Sequence, residues 1–138
     1  MSVTQISVFV ESRPGHLIRS LEVFSRNGIN VRGFSAGDTG EYGIVRFVVD
    51  KPDEALDLLL KSGAAARATE VLCIELEDRP GALENVLGTM AAQGINVVYC
   101  YSMMGTYIVL SVKDIGGAEE SLAVTDLRLV DQEDISRM

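Results

Sequence analysis

The feature that most constrains this chain is an internal repeat. The segments ESRPGHL at 11–17 and EDRPGAL at 77–83 share an Arg-Pro-Gly triplet behind a glutamate, and they lie 66 positions apart. The segment GINV also occurs twice, at 28–31 and 94–97, again 66 positions apart. A repeat that keeps its internal spacing indicates a duplicated folding unit.

The repeat divides the chain into two predicted units, residues 1–70 and 71–138. A chain of 138 residues is close to the common size of one compact domain, so two units of this length must share a core or a sheet edge. The junction at 64–68 has no linker rich in proline, glycine or serine. We therefore expect the two units to be joined tightly.

Hydrophobic periodicity predicts the order strand, helix, strand, strand, helix, strand in each unit. Pro14 and Pro80 are expected at the first position of a helix, because proline has the φ of a first helical turn. In the first unit the predicted elements are a strand at 3–10, a helix from Pro14 to a stop at Gly28, strands at 30–37 and 43–50 joined by a hairpin at 38–42, a helix from Pro52 to a stop at Gly63, and a strand at 66–70. In the second unit they are strands at 71–77, 96–104, 106–113 and 126–130, with helices at 80–93 and 117–123.

This order is typical of an α+β fold built from ferredoxin-like βαββαβ units, each with an antiparallel sheet and both helices on one face. In the first unit, alternation places Phe9, Phe34, Val45 and Phe47 on the sheet face away from the helices. Such a face requires a cover, and we expect a homodimer or a partner enzyme to provide it.

The repeated turn is the first candidate for a binding site. A helix that begins after a sharp turn presents free backbone N–H groups and the positive end of its dipole, which favour a carboxylate or phosphate oxygen. Gly15 and Gly81 would let a ligand approach the backbone closely. The alternative is that Ser12 and Asp78 simply cap these helices.

The repeated asparagine of GINV is the second candidate. Asn30 and Asn96 each follow a glycine stop and open a strand, where asparagine is not favoured by propensity. Each amide can donate and accept hydrogen bonds, so each could hold a polar ligand. The alternative is that each amide satisfies its own backbone.

With these residues in view, the chain resembles the ACT domain family, whose small modules sense amino acids and regulate metabolic enzymes. The similarity lies in SRPGHL and DRPGAL, each followed by GINV within a βαββαβ repeat, and it extends over the chain as two tandem copies. The resemblance implies one antiparallel eight-stranded sheet, with an amino acid bound at the seam between the first loop of one unit and the second-strand asparagine of the other.

The resemblance implies the following ligand-binding residues. They are Ser12, Arg13, Gly15 and His16 in the first loop, Asp78, Arg79, Gly81 and Ala82 in the second loop, and the strand residues Asn30 and Asn96. Members of the family that bind serine often carry asparagine before the arginine and a histidine two places earlier. Here these positions hold Ser12 or Asp78 and Val10 or Leu76, so serine is not implied as the ligand.

Several other classes of function are disfavoured by composition. The net charge of −8 argues against binding to nucleic acid. No apolar run is long enough to cross a membrane, and the start of the chain lacks the features of a signal peptide, so we expect a cytoplasmic protein. No cofactor is indicated, and the single histidine, His16, expected at the third helical position, argues against a metal site.

The remaining residues favour a binding protein over an enzyme. Acylphosphatases share the βαββαβ outline and use an arginine and an asparagine, but the phosphate-cradling loop of that family is missing here, and no catalytic residue is indicated. A structural interaction module without a ligand is the other alternative. Cys73 and Cys100 are expected to be reduced and buried, and Tyr99 and Tyr101 should share one face of a strand, more as packing residues than as a pocket wall.

Overall fold

The computed structural model describes residues 2–38 and 40–138. These residues form two compact units. Unit A comprises Thr4–Thr69 together with Ile135–Met138, and unit B comprises Glu70–Asp134 together with the N-terminal residues through Val3. Thr39, which belongs to the predicted hairpin at 38–42, lies outside the described residues.

The helices and strands follow the predicted order closely. In chain order they are β1 (Val3–Glu11), α1 (Ile18–Arg26), β2 (Val31–Asp38), β3 (Tyr42–Val49), α2 (Pro52–Lys61), β4 (Ala65–Glu75), α3 (Ala82–Ala92), β5 (Val97–Ser102), β6 (Tyr107–Val112), α4 (Ile115–Leu122), β7 (Arg128–Val130) and α5 (Gln132–Arg137). This order fits an α+β fold of two tandem ferredoxin-like βαββαβ units that share β4.

Unit A has an antiparallel sheet with the strand order β2-β3-β1-β4. Val8 lies opposite Val45 across the β1–β3 pair, and Phe34 lies opposite Phe47 across the β2–β3 pair. The helices α1 and α2 pack on this sheet, with Phe24 of α1 meeting Phe47 edge to face at 5.0 Å between ring centroids. The core of unit A consists of Ile6, Val8, Phe24, Ile29, Val45, Phe47, Val49, Ala55 and Leu59.

Unit B repeats this arrangement. Its strand β4 pairs with β6 on one side and with β7 on the other, and β5 pairs with β6 at the sheet edge. All three pairs are antiparallel. The core of unit B consists of Leu72, Ile74, Val86, Met90, Ile108, Leu110, Ala118 and Leu122, which come from β4, α3, β6 and α4.

The prediction of a single eight-stranded sheet is not confirmed, because the described residues form seven strands. The strands predicted at 66–70 and 71–77 are one continuous strand, β4, whose residues through Thr69 belong to unit A and whose later residues belong to unit B. The segment has no glycine or proline between Ala65 and Glu75. Nothing in it interrupts an extended backbone, so the strand continues.

The predicted position of Val45 and Phe47 is wrong. Both are buried in the core under the helices rather than on the opposite face. Directly opposed residues of an antiparallel pair share a face, and Val45 opposes Val8, which belongs to the same core. The predicted position of Phe34 is wrong as well, because Phe34 opposes Phe47, with 5.9 Å between the ring centroids, and so shares its face. Phe9 follows Val8 along β1 and lies on the other face, where it is 45% exposed.

Two further differences concern the second half of the chain. Cys100 is exposed, whereas Cys73 is buried as predicted, and both are free thiols. The helix α5 was not predicted, although the sequence carries a signal for it. The carboxylates of Asp131 and Asp134 accept hydrogen bonds from each other's backbone N–H groups, at 2.9 and 3.0 Å, as in a reciprocal helix cap.

No helix within 2–38 and 40–138 is both long and apolar enough to cross a membrane.

Candidate functional site

Each Arg-Pro-Gly segment forms a tight β-turn of the same kind. The N–H of His16 donates to the carbonyl of Arg13, and the N–H of Ala82 donates to the carbonyl of Arg79, both at 3.2 Å. Gly15 and Gly81 have φ values of 84° and 85°. Proline followed by a residue with positive φ is the pattern of a type II turn, so both glycines are required by the backbone conformation.

The helices do not begin at the prolines, which corrects the predicted positions of Pro14 and Pro80. In unit A a second turn, closed by the N–H of Ile18 and the carbonyl of Gly15 at 3.2 Å, separates Pro14 from α1. In unit B, α3 follows the turn at once, with Gly81 as its N-cap. The left-handed φ of the glycines is incompatible with a helix, so neither proline can be a first helical residue.

His16, Ser12 and Asp78 therefore do not have the positions in the helix starts that were expected for them. His16 lies in the turn before α1 and is not a helical residue. The N-caps of α1 and α3 are Leu17 and Gly81, and neither helix has a side-chain cap. The alternative in which Ser12 and Asp78 cap these helices is therefore wrong.

The arginine of each turn faces the glutamate two residues before it. Nη1 of Arg13 lies 3.6 Å from Oε2 of Glu11 in unit A, and Arg79 makes a closer hydrogen-bonded pair with Glu77 in unit B. The hydrogen bond from Arg79, together with its positive charge, lowers the pKa of Glu77. Both pairs are exposed, so each contributes little to the stability of the fold.

The imidazole of His16 lies between its own loop and the start of β3. Its Nδ1 is hydrogen-bonded to the carbonyl oxygen of Arg13. A carbonyl only accepts, so Nδ1 carries a proton and Nε2 remains available to a ligand. Nε2 points towards Gly43, where an added Cβ would lie 3.9 Å away. A Cβ at this distance would be in ordinary van der Waals contact with the ring, so the imidazole lies against Gly43.

The second loop carries more negative charge at its helix start than the first. Glu84 lies in the first turn of α3, with Oε1 at 3.9 Å from the place where a Cβ on Gly81 would be. The first turn of α1 has no acidic residue. Ala82 is buried, whereas His16 at the matching position is half-buried and polar. The two loops therefore share a backbone turn but present different charges.

The two asparagines are both exposed and stand just before β2 and β5. The backbone of Asn30 is held by Asp50, whose Oδ1 accepts from the Asn30 N–H at 2.9 Å. Within the part of the chain that the structure describes, neither the Asn30 nor the Asn96 side-chain amide makes a hydrogen bond. The amides are not satisfying their own backbone, so both are available to a ligand.

The structure brings the predicted residues of the first loop together around an open pocket of about 490 Å³. Its lining is the continuous segment 12–18, which includes Ser12, Arg13, Gly15 and His16. A second pocket of about 330 Å³ adjoins the same loop. Asn30 lines neither of these two pockets.

Two residues of the second pocket, Arg19 and Ser20, were not anticipated from the sequence. Both lie in the first turn of α1. A comparison of the two copies could have found them, because the residues 66 positions later are Asn85 and Val86.

Tyr99 and Tyr101 do share a face of β5, with nearly parallel rings at 6.5 Å between centroids. Among the described residues, no cluster of potential metal ligands is found.

Comparison with known proteins identifies the fold. The family model described as the ACT domain pair matches residues 1–138 of this chain. A protein of solved structure from Bacteroides thetaiotaomicron is 28% identical, with a TM-score of 0.93, and the match covers 100% of this chain and 98% of that chain. No curated protein matches the chain.

Two solved regulatory subunits of aspartate kinase share the fold at lower identity. The ligand-free subunit from Thermus thermophilus is 19% identical with a TM-score of 0.63, and the match covers 88% of this chain and 89% of that one. The subunit from Thermus flavus is 17% identical with a TM-score of 0.60, and the match covers 89% and 92% of the two chains. The duplicated turn, the tandem α+β units and the match over all 138 residues have one explanation: this chain belongs to the ACT domain pair family.

Proposed function

We propose that this chain is a regulatory protein that binds an amino acid through its Arg-Pro-Gly loops and transmits binding to a partner enzyme or to its own assembly. The observation that carries the proposal is the pair of exposed type II turns, with Gly15 and Gly81 at φ 84° and 85°, in a chain of the ACT domain pair family. ACT domains are regulatory modules, so the proposal assigns the chain a binding role rather than catalysis.

The turn geometry supports backbone recognition of the ligand. A Cβ at Gly15 would meet no atom within 4 Å, so the backbone of this turn is open to solvent on that side. A free amino acid carries a carboxylate and an ammonium whatever its side chain. Backbone N–H groups of a turn suit the carboxylate, and a side-chain amide can accept from the ammonium.

The proposed ligand residues are those named from the sequence. One proposed site uses Ser12, Arg13, Gly15 and His16 with Asn96, and the other uses Asp78, Arg79, Gly81 and Ala82 with Asn30. This pairing of each loop with the asparagine of the other unit is part of the proposal. The exposed and unbonded amides of Asn30 and Asn96 support it.

We propose that the two sites differ in affinity. Glu84 in the first turn of α3 and Asp78 in the loop before it add negative charge near this helix start, which disfavours a ligand carboxylate there. The start of α1 has no acidic residue in its first turn. The site that contains Ser12 and His16 should therefore bind more tightly, by about 1 kcal/mol, the size of one charge effect at a helix start.

The proposal includes a protein partner. The solved structures from Thermus are regulatory subunits of aspartate kinase, which supports an enzyme of amino-acid metabolism as the regulated partner. Self-association as a homodimer in the cytoplasm is also proposed, supported by the 45% exposed ring of Phe9 on the sheet face of unit A away from the helices. Light scattering of the purified chain would separate a dimer from a monomer.

A thermal-shift screen of the purified chain against the proteinogenic amino acids tests the binding role. A ligand present at about 100 times its dissociation constant adds about 2.7 kcal/mol to the free energy of unfolding. For a chain of this size we expect a rise in Tm of several degrees with one amino acid or a chemically related group. If no amino acid raises the Tm, the proposed function is wrong and an interaction module without a ligand becomes the better explanation.

A further inference from the structure

The second pocket of unit A has a composition of its own. It is about 330 Å³ in volume and lies where the end of β1, the first loop, the start of α1 and the beginning of β4 meet. A pocket of this size is in the range of small-molecule sites. Its lining is formed by residues 8–11, 13–16, 19–20 and 63–65.

The charges in this pocket leave one cation without a counter-ion. Glu11 and Arg13 face each other at 3.6 Å and offset one another. Arg19 makes no ion pair within 2–38 and 40–138, although the chain has 20 acidic residues and a net charge of −8. A guanidinium binds a carboxylate through two parallel hydrogen bonds, so an unpaired arginine at a pocket suits an anionic ligand group.

The pocket wall is polar at a position where unit B is apolar. Ser20 is only 6% exposed and lies in the first turn of α1. The residue 66 positions later, Val86, is 3% exposed and belongs to the core of unit B. The smaller serine leaves space and supplies a hydroxyl that can donate to an anion.

Three side chains of this pocket differ between the two copies. Its residues His16, Arg19 and Ser20 correspond by the spacing of 66 to Ala82, Asn85 and Val86. The Arg-Pro-Gly turn, in contrast, is identical in both copies. Shared residues can recognise the carboxylate and ammonium common to all amino acids, whereas residues that differ can distinguish side chains.

We infer that this pocket selects an amino acid with an anionic side chain, aspartate or glutamate, with Arg19 pairing the side-chain carboxylate and Ser20 donating to it. The inference rests on the proposed function, because the loop must first hold the common part of the amino acid. His16 borders the same pocket, and its Nε2 is the ring nitrogen left available by the hydrogen bond to Arg13. Unit B lacks all three side chains and is not expected to share this preference.

Calorimetric titration of the full chain with four amino acids tests the inference. L-aspartate and L-glutamate should bind at least about tenfold more tightly than L-asparagine and L-glutamine, which have the same shape without the charge. Succinate and glutarate, which lack the ammonium, should bind more weakly than the two acidic amino acids. Equal affinity for the acids and the amides, or for succinate and aspartate, would overturn the inference.

The variant Arg19→Gln removes the charge from an exposed helical position, so the fold should be retained. We expect it to lose most of the preference for acids over amides while binding of the amides changes little. Arg26→Gln is the matched control, because Arg26 lies on the same helix, is paired with Glu22 at 3.5 Å and does not line this pocket. An unchanged preference in Arg19→Gln would contradict the assignment of that residue.

A second variant changes the volume of the pocket without changing its charge. Ser20→Val introduces the residue that unit B carries at the matching core position, and it should weaken binding of acids and amides together by narrowing the pocket.

If wild type binds amino acids without regard to side-chain charge, only the present inference fails. If wild type binds no amino acid, the proposed function fails and the inference falls with it.

Discussion

Asp50 makes hydrogen bonds to both backbone polar groups of Asn30, the N–H and the carbonyl. Oδ1 of Asp50 accepts from the Asn30 N–H at 2.9 Å, and the Asp50 N–H donates to the Asn30 carbonyl at 3.2 Å. These two bonds position the residue at the entry to β2 and leave its amide exposed. In unit B, Asp114 comes after β6 much as Asp50 comes after β3, but it has another role, since its Oδ1 accepts from the N–H of Gly117 at 3.0 Å and caps α4.

Asp50→Ala should lower the free energy of unfolding by about 1 kcal/mol, because it removes the acceptor for the Asn30 N–H. Urea denaturation measures this loss. Asp57→Ala is a suitable control, since the partner of Asp57 among the described residues is Lys61, in an exposed i,i+4 pair at 2.8 Å, and losing this pair should cost about 0.4 kcal/mol. A larger loss in the control than in Asp50→Ala would contradict this role for Asp50.

Alanine at the two turn glycines should destabilise the protein. Gly15→Ala and Gly81→Ala would place a Cβ on residues with φ of 84° and 85°, which costs about 1–2 kcal/mol each. Gly88→Ala gives a control of opposite sign. Gly88 lies inside α3 with nothing within 4 Å of an added Cβ, so this change should stabilise by about 0.5–1 kcal/mol. Equal effects at all three positions, measured by urea denaturation, would refute the turn assignment.

Gly43 is required for a steric reason. A Cβ there would lie 3.1 Å from Cγ2 of Val10 and 3.3 Å from the carbonyl oxygen of Gly37. Gly43→Ala should therefore cost about 1–3 kcal/mol. Gly37→Ala, on the paired strand with nothing within 4 Å, should stay within about 0.5 kcal/mol of wild type. Thermal unfolding of the two variants decides, and a Tm for Gly43→Ala at or above that of Gly37→Ala would contradict the steric account.

The order of the elements could be predicted because the repeat supplies the first turn and the first helix stop of each unit twice. Gly28 and Gly94 have φ of 68° and 71°, so both predicted helix stops are confirmed. The helix starts were not predictable from proline alone, because a φ near −65° suits both a first helical turn and the second residue of a type II turn. The glycine after each proline, with its positive φ, decides between the two.

The wrong face predicted for Phe34, Val45 and Phe47 has a different cause. Alternation defines two faces of a strand but not which one is buried, and a shift of one residue exchanges them. Only the pairing of Val45 with Val8 fixes the choice. The ligand loops were recognisable because they repeat, whereas the pocket residues Arg19 and Ser20 lie where the copies differ.

The two cysteines should differ in reactivity. Burial, with a smaller contribution from Asp134, raises the pKa of Cys73 to about 12. Iodoacetamide at pH 8 should therefore modify Cys100, which is exposed, and spare Cys73 until the chain unfolds. Mass spectrometry of the native and the denatured protein would show this, and modification of Cys73 in the native state would contradict its burial.

The same thiol makes stability depend on pH in the alkaline range. The folded pKa lies above the ordinary thiol value of 9.0, so the folded state keeps a proton that the unfolded state releases. This contribution is complete below about pH 9 and is lost as the pH rises towards 12. In Cys73→Ala the free energy of unfolding should fall less steeply between these values than in wild type. An equal or steeper fall would contradict the raised pKa.

The central claim, that the loops and asparagines bind an amino acid, is tested most directly by calorimetric titration of Asn96→Ala and Asn30→Ala with the amino acid that gives the largest thermal shift. The account predicts that Asn96→Ala removes the tighter binding event, while Asn30→Ala affects only the weaker one. Both variants should remain folded, because both side chains are exposed and make no hydrogen bond within the described residues. Wild-type titration curves in both variants would contradict the claim, and loss of the tighter event in Asn30→Ala alone would reverse the ranking of the two sites.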